Sequence, residues 1–340
     1  MKKNHTNTLL YISVTVISLL FAGCSDNIFD EASRQHGEDR IQLSGDIDQL
    51  AVTRVNDNGF CDGDVMGVYI VDYEGGTPGT LKVSGNRGDN VRHTFDEPNY
   101  KWNSAYDLFW KDKHTHIDVY GYYPFANPES IDDYQFEVQR DQNRVSENGN
   151  MGGYEASDFL WGKVADVAPT TSVIRLPMKH RMSNACVTLV QGDGFANGEW
   201  ANTEKIVLTT NVARKASINM ADGTVSVAGG VEQTATIPSR VGDEWRTIVV
   251  PQTVNAGTTL FSITIGGVPY KFTKNENLTY ISGKMMKFSI RVDKKVGSGK
   301  YSLTLISESI TPWENDLVSH DSTAKEYVVI SYPPGGGMIG

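Results

Sequence analysis

Two histidines and an aspartate at alternating positions, His114, His116 and Asp118, are the nearest approach of this sequence to a metal-ligand set. Residues two apart in a strand share a face, so all three side chains would converge on one ion if the segment were extended. Lys111 and Lys113 stand beside them and no fourth ligand is indicated, so the segment reads as an exposed polar strand face and no metal is assigned. His180, between Lys179 and Arg181, reads as a structural histidine packed at a strand end and not as a catalytic base. Glu129, Asp132 and Asp133 gather carboxylates as a glycoside hydrolase does, but such a pair is defined by its separation in space, and a solvated loop is the simpler reading. There is no G-x-S-x-G elbow and no recognised cysteine nucleophile signature. Gly75-Gly76 and Gly335-Gly336-Gly337 lack the strand-to-helix setting and the lysine of a phosphate loop. Neither catalysis nor a cofactor is expected.

The chemistry that the residues do favour is covalent modification of Cys24. Lys2 and Lys3 precede an apolar run, Leu9 to Phe21, and the small residues Ala22 and Gly23 lead directly into the cysteine. That is the layout of a secretory signal, and the run is shorter than the roughly 20 residues of a spanning helix. The cysteine placement is similar to the bacterial lipobox, with Phe21 where leucine is usual, which implies acylation of Cys24 as the mature N-terminus. At about 0.8 kcal/mol per buried CH₂, several acyl chains would hold such a protein on a bilayer. Ser25 after the cysteine favours the outer membrane, so the expectation is a lipid-anchored, surface-exposed protein.

The elements that would position any site follow from periodicity. Residues 1–23 are the signal, and the polar stretch 24–40 is a tether without periodicity. From Ile41 onward, short alternating or apolar runs succeed one another between glycine and asparagine turns, with no helical period of any length, which predicts an all-β chain of sandwich type. Length argues for two domains, and the polar, glycine-rich stretch Gly192 to Asn202 is the expected junction, dividing an N-terminal sandwich at 41–195 from a C-terminal one at 196–340. The last strand-like run, Lys325 to Tyr332, precedes Pro333 and Pro334 and has no evident hairpin partner, so it is a candidate exchangeable edge.

Composition limits the partners. The formal net charge is −10, and no cluster of lysine and arginine offers a polyanion a footprint, so nucleic acid is excluded as a partner. Cys61 and Cys186 are either a disulfide or two buried thiols, and spacing does not decide. Trp102, Tyr106, Phe109, Trp110, Tyr120, Tyr122 and Tyr123 would form a glycan-stacking platform if they shared an exposed face, although alternating strand residues more commonly divide between core and surface.

The order of landmarks resembles the fimbrillin (Mfa-like) family, the lipoprotein-derived subunits of type V pili. The landmarks are Cys24, Thr53-Arg54, Asp62-Gly63-Asp64 with Gly67-Val68-Tyr69, and Phe109-Trp110 ahead of Val119 to Pro124. They continue with Leu160-Trp161-Gly162, then His180 with Met182-Ser183, Val250-Pro251-Gln252, Leu278 with Gly283-Lys284, and Ile310-Thr311-Pro312-Trp313. The resemblance implies two tandem transthyretin-like β-sandwich domains and a non-enzymatic subunit that joins other pilus subunits by strand exchange, as shaft, anchor or tip, with a host or glycan ligand as a further partner. It also implies proteolytic processing after an arginine, here Arg54 with Arg40 as the competing position. Ile41 to Val52 would be removed, and a donor strand would be drawn from Tyr327, Val328, Val329, Ile330 and Tyr332. The alternative is a monomeric surface lipoprotein that binds glycans or host ligands.

Overall fold

A computed structural model describes residues 39–47, 60–147, 150–200, 206–229, 234–313 and 328–330. Cys24, Arg54, Tyr327 and Tyr332 lie outside the described residues. Among the described residues there is no α-helix; one 3₁₀ turn, Glu155–Ser157, interrupts a succession of strands. The all-β expectation holds.

The first half builds a mainly antiparallel sheet. Its strands run in the order Leu43–Ile47, Ile174–His180, Leu160–Val167, Ile117–Tyr123, Val65–Glu74, Gly88–Asp96 and Lys101–Ser104, with Thr77–Pro78 pairing the end of Val65–Glu74. Gly75 and Gly76 both take positive φ, 58° and 81°, at the tight turn into Thr77–Pro78, a backbone state that side chains with a Cβ resist. The sheet curls until its two edges meet, where the indole Nε1 of Trp102 donates to the Gly45 carbonyl at 3.0 Å. Met66, Val68, Ile70, Ile117, Val119, Leu176 and Met178 fill the enclosed side.

The opposite face of the same sheet is also covered. Tyr69, Tyr120, Tyr122 and Trp161 meet Phe136, Ala216, Ile218 and Ile248 there. Phe136 belongs to Tyr134–Glu137, which pairs with Lys215–Asn219, itself paired with Thr224–Val227. Every residue of Ile117–Tyr123 is consequently buried, which explains why that run, Asp118 apart, reads as apolar and aromatic instead of alternating.

The second half is a sandwich. One sheet runs Ser239–Val241, Glu244–Val249, Ser183–Gln191, Lys284–Lys295, Lys300–Pro312, Val328–Ile330, and the facing sheet runs Thr234–Thr236, Val207–Val212, Thr259–Ile265, Val268–Thr273. In Lys284–Lys295 the alternating Met286, Phe288, Ile290 and Val292 point inward against Leu208, Phe261, Ile263 and Phe272.

The two halves exchange strands earlier than composition suggests. Ile174–His180 ends in the first sheet, and two residues later Ser183–Gln191 begins in the second, paired to Glu244–Val249 on one side and Lys284–Lys295 on the other. The polar stretch from Gly192 is a loop of the second sandwich, tied down by Asp193 to Arg291 at 2.7 Å and by Glu199 to Lys294. Its glycines and charges mark an exposed turn, and a change of sheet leaves no such compositional trace.

Candidate functional site

Leu43–Ile47 is an edge strand of the first sheet and runs parallel to Ile174–His180, with Leu43 opposite Ile174 and Ile47 opposite Met178. Its alternation is Ile41, Leu43, Gly45 and Ile47 inward, the last half-buried against the core, and Gln42, Ser44, Asp46 outward. The first two inward side chains are 4% and 7% exposed. Burying two aliphatic side chains of this size contributes about 3–6 kcal/mol.

Main-chain bonds fix the approach to the strand. Ile41 N–H donates to Leu108 O and Trp110 N–H to Asp39 O, both at 2.8 Å, while Ile174 N–H donates to Gln42 O at 2.9 Å. Arg40 pairs with Asp107 at 2.6 Å, and both are about half exposed. Beyond Ile47, the next described residue is Phe60, buried in the same core and packed edge-on to Trp102 at 4.8 Å and to Tyr123 at 5.5 Å. Residues 48–59, which contain Arg54, therefore connect two anchored points. The edge strand is covalently joined to the remainder of its sheet through that segment alone.

Sequence reading missed Trp102 as the clamp on this strand. Gly45 inside the alternating run Leu43–Ile47 was the available signal, since a glycine in a strand marks a close approach by other atoms. A Cβ placed there would lie 3.0 Å from Met66 Sδ and 3.5 Å from Trp102 Nε1.

At the other chain end, Val328–Ile330 pairs antiparallel with the outer edge of Lys300–Pro312, Val328 opposite Leu305 and Ile330 opposite Leu303. The expected donor segment thus has a place in its own sheet, through three residue pairs.

The remaining candidates resolve into structural roles. Among the described residues, no group of three metal-ligating side chains comes together. His116 Nδ1 meets Asp166 at 2.7 Å, whereas Asp118 is buried and meets Lys163 Nζ at 2.9 Å. The expected exposed face is therefore broken at Asp118, because the pairing shifts between Ile117 and Val119. Burial pushes the Asp118 carboxyl up, but the hydrogen bonds from Lys163 and from the Asp166 amide outweigh it, and the group sits below the usual carboxylate range. Asp64, just before the strand Val65–Glu74, goes the other way: burial raises it despite hydrogen bonds from the Cys61 amide and Tyr123. His180 Nδ1 contacts buried Asp158 at 2.9 Å and its ring stacks on Trp313 at 4.1 Å, which is the packed strand-end histidine expected.

Glu129, Asp132 and Asp133 are exposed, with Asp133 accepting hydrogen bonds from Gln135 and Ser217. Cys61 and Cys186 are thiols and not a disulfide, the former half-buried and the latter buried. Of the seven aromatic residues that would have made a stacking platform on a shared exposed face, Trp102, Trp110, Tyr120, Tyr122 and Tyr123 are buried, leaving Tyr106 and Phe109 exposed. Burial on both faces of the first sheet removes that platform.

A model of the fimbrillin-like family matches residues 53–313. The chain belongs to the fimbrillin-like family. The matched range opens at Thr53, beyond the edge strand, and runs to Trp313. This fimbrillin-like protein superposes on a crystal structure of a candidate cell adhesion protein from Bacteroides uniformis with a TM-score of 0.59 and 16% identity, covering 81% of this chain and 99% of that one. A second, from Bacteroides ovatus, gives a TM-score of 0.57 and 13% identity over 83% and 99%. At these identities the likeness shows a shared fold. No curated protein matches the sequence. Membership makes the fimbrillin-like chain a structural protein and not an enzyme.

Proposed function

We propose that this fimbrillin-like chain is the precursor of a surface-fimbria subunit, exported as a lipoprotein acylated on Cys24, cut after Arg54 and assembled by strand exchange. The observation that carries the reading is the edge strand Leu43–Ile47, which completes a core yet is joined to the rest of its sheet only through residues 48–59. A cut at Arg54 leaves that strand held by non-covalent contacts, and its departure opens a trough with the unpaired edge of Ile174–His180 as its wall. An extended segment refills such a trough by β-augmentation. Arg40 is the poorer position, because it sits within the paired approach and a cut there leaves the strand attached.

The donor is the segment Tyr327 to Tyr332 of a neighbouring subunit. Three residue pairs hold part of it in its own sheet, so little is lost when it leaves. Cleavage of the purified chain at Arg54 should yield SDS-resistant ladders, and removal of residues 325–340 should abolish them. A cleanly cut protein that stays monomeric at high concentration overturns the reading; polysaccharide binding by that monomer would support a tethered binding protein instead. Mass spectrometry of the surface-extracted protein tests the lipid and the cut directly: an acylated Cys24 before processing and Val55 as the new N-terminus after it.

A further inference from the structure

We propose that the groove beneath Leu43–Ile47 selects the incoming strand by side-chain size at the position of Gly45, and that Tyr327 to Ser331 of a second copy of this chain enters it in a single register. The inference rests on the strand-exchange reading above and adds to it a register and a specificity-determining position.

The resident strand defines what fits. Its inward positions carry Ile41, Leu43, Gly45 and, where the strand ends, the half-buried Ile47, and a Cβ at the third would lie 3.0 Å from Met66 Sδ, 3.4 Å from Met66 Cε and 3.5 Å from Trp102 Nε1. Met66 is fully buried, so the end of its thioether can move by a few tenths of an ångström but cannot clear a long side chain. Trp102 is fixed by its own hydrogen bond to Gly45 and by Phe60 and Phe95, with ring centroids 4.8 Å and 5.2 Å away. An occupant must therefore present large, large, very small at alternate positions, running in the direction set by the parallel ladder to Ile174–His180.

Within 325–332 one phase and one direction satisfy this. The even positions Glu326, Val328, Ile330 and Tyr332 offer no small residue. The odd positions offer Tyr327, Val329 and Ser331 in that order, and neither phase provides the pattern when read backwards. With Ser331 at the place of Gly45, its carbonyl takes the Trp102 indole N–H that would otherwise be left without a partner. Tyr327 then replaces the smaller Ile41 beside a cleft of about 580 Å³ bordered by Arg40, His93, Phe95 and Tyr100, which supplies the extra room. Pro333 falls at Ile47, so the donor loses its ladder-forming amides where the resident strand itself ends.

Assembly of the full-length chain after cleavage at Arg54 tests the register. Ser331→Leu should lose the SDS-resistant ladder, Tyr332→Leu, at an outward position, should keep it, and acceptor chains carrying Met66→Ala should recover assembly with Ser331→Leu donors. Because Met66 lies in the core, a second measurement is independent of it. Ile330→Cys in one copy should form an intermolecular disulfide with Arg175→Cys in another, since Ser44 lies opposite Arg175, and not with Val173→Cys. Absence of any ladder from the unmodified chain overturns strand exchange and this proposal together. A normal ladder from Ser331→Leu, a cross-link at Val173, or a cross-link confined within single chains overturns the register or the second copy as occupant, while strand exchange stands.

Discussion

The two edge strands near the ends of the described chain are held in opposite ways. Leu43–Ile47 lies between a ladder on one side and the Trp102 indole on the other, with Ile41 and Leu43 in the core. Val328–Ile330 has one partner, the outer edge of Lys300–Pro312, along three residue pairs. Fixing a backbone costs roughly 1–2 kcal/mol per residue, and a net hydrogen bond returns about as much, so a three-residue edge strand is close to thermodynamic indifference. The difference separates two requirements of strand exchange. On the strand-exchange proposal, the strand to be lost is secured until its connection is cut, and the strand to be given is secured hardly at all.

The largest expected effect tests the first half of that contrast. Leu43→Asp places a carboxylate in the enclosed core and should destabilise the uncut chain by about 3–5 kcal/mol in urea unfolding followed by tryptophan fluorescence. A loss below about 1 kcal/mol would mean that the edge strand does not secure its sheet. Next in size, Trp102→Phe keeps most of the ring but removes the N–H to Gly45, and should cost about 1–2 kcal/mol by the same measurement. It should also hasten proteolytic release of the first strand once Arg54 is cut. Smallest, deletion of residues 328–340 should change the stability of the uncut chain by less than about 1 kcal/mol. A drop comparable to Leu43→Asp would erase the contrast.

Much of this was legible beforehand. Alternation in Lys284–Lys295 and the turn glycines announced strands, and the sandwich class followed. What escaped was whichever feature depends on two surfaces meeting. Tyr120 and Tyr122 looked available for stacking because one strand cannot disclose that its second face is roofed by Tyr134–Glu137 and Lys215–Asn219. Asp118 looked like part of an exposed polar face because periodicity is blind to a bulge, and its partner Lys163 lies on another strand. The edge strand was visible as a pattern, but its clamp was not. Trp102 reads as one more core aromatic until it is seen beside Gly45, 57 residues away in sequence.

The passage from Ile174–His180 to Ser183–Gln191 takes two residues, and it joins the wall of the trough to an interior strand of the second sheet. In a fibre built by strand exchange, tension from the neighbouring subunit would arrive on that wall and travel through covalent bonds straight into a strand braced on both flanks. No slack linker intervenes along this route, so each subunit would carry tensile load as a single stiff link.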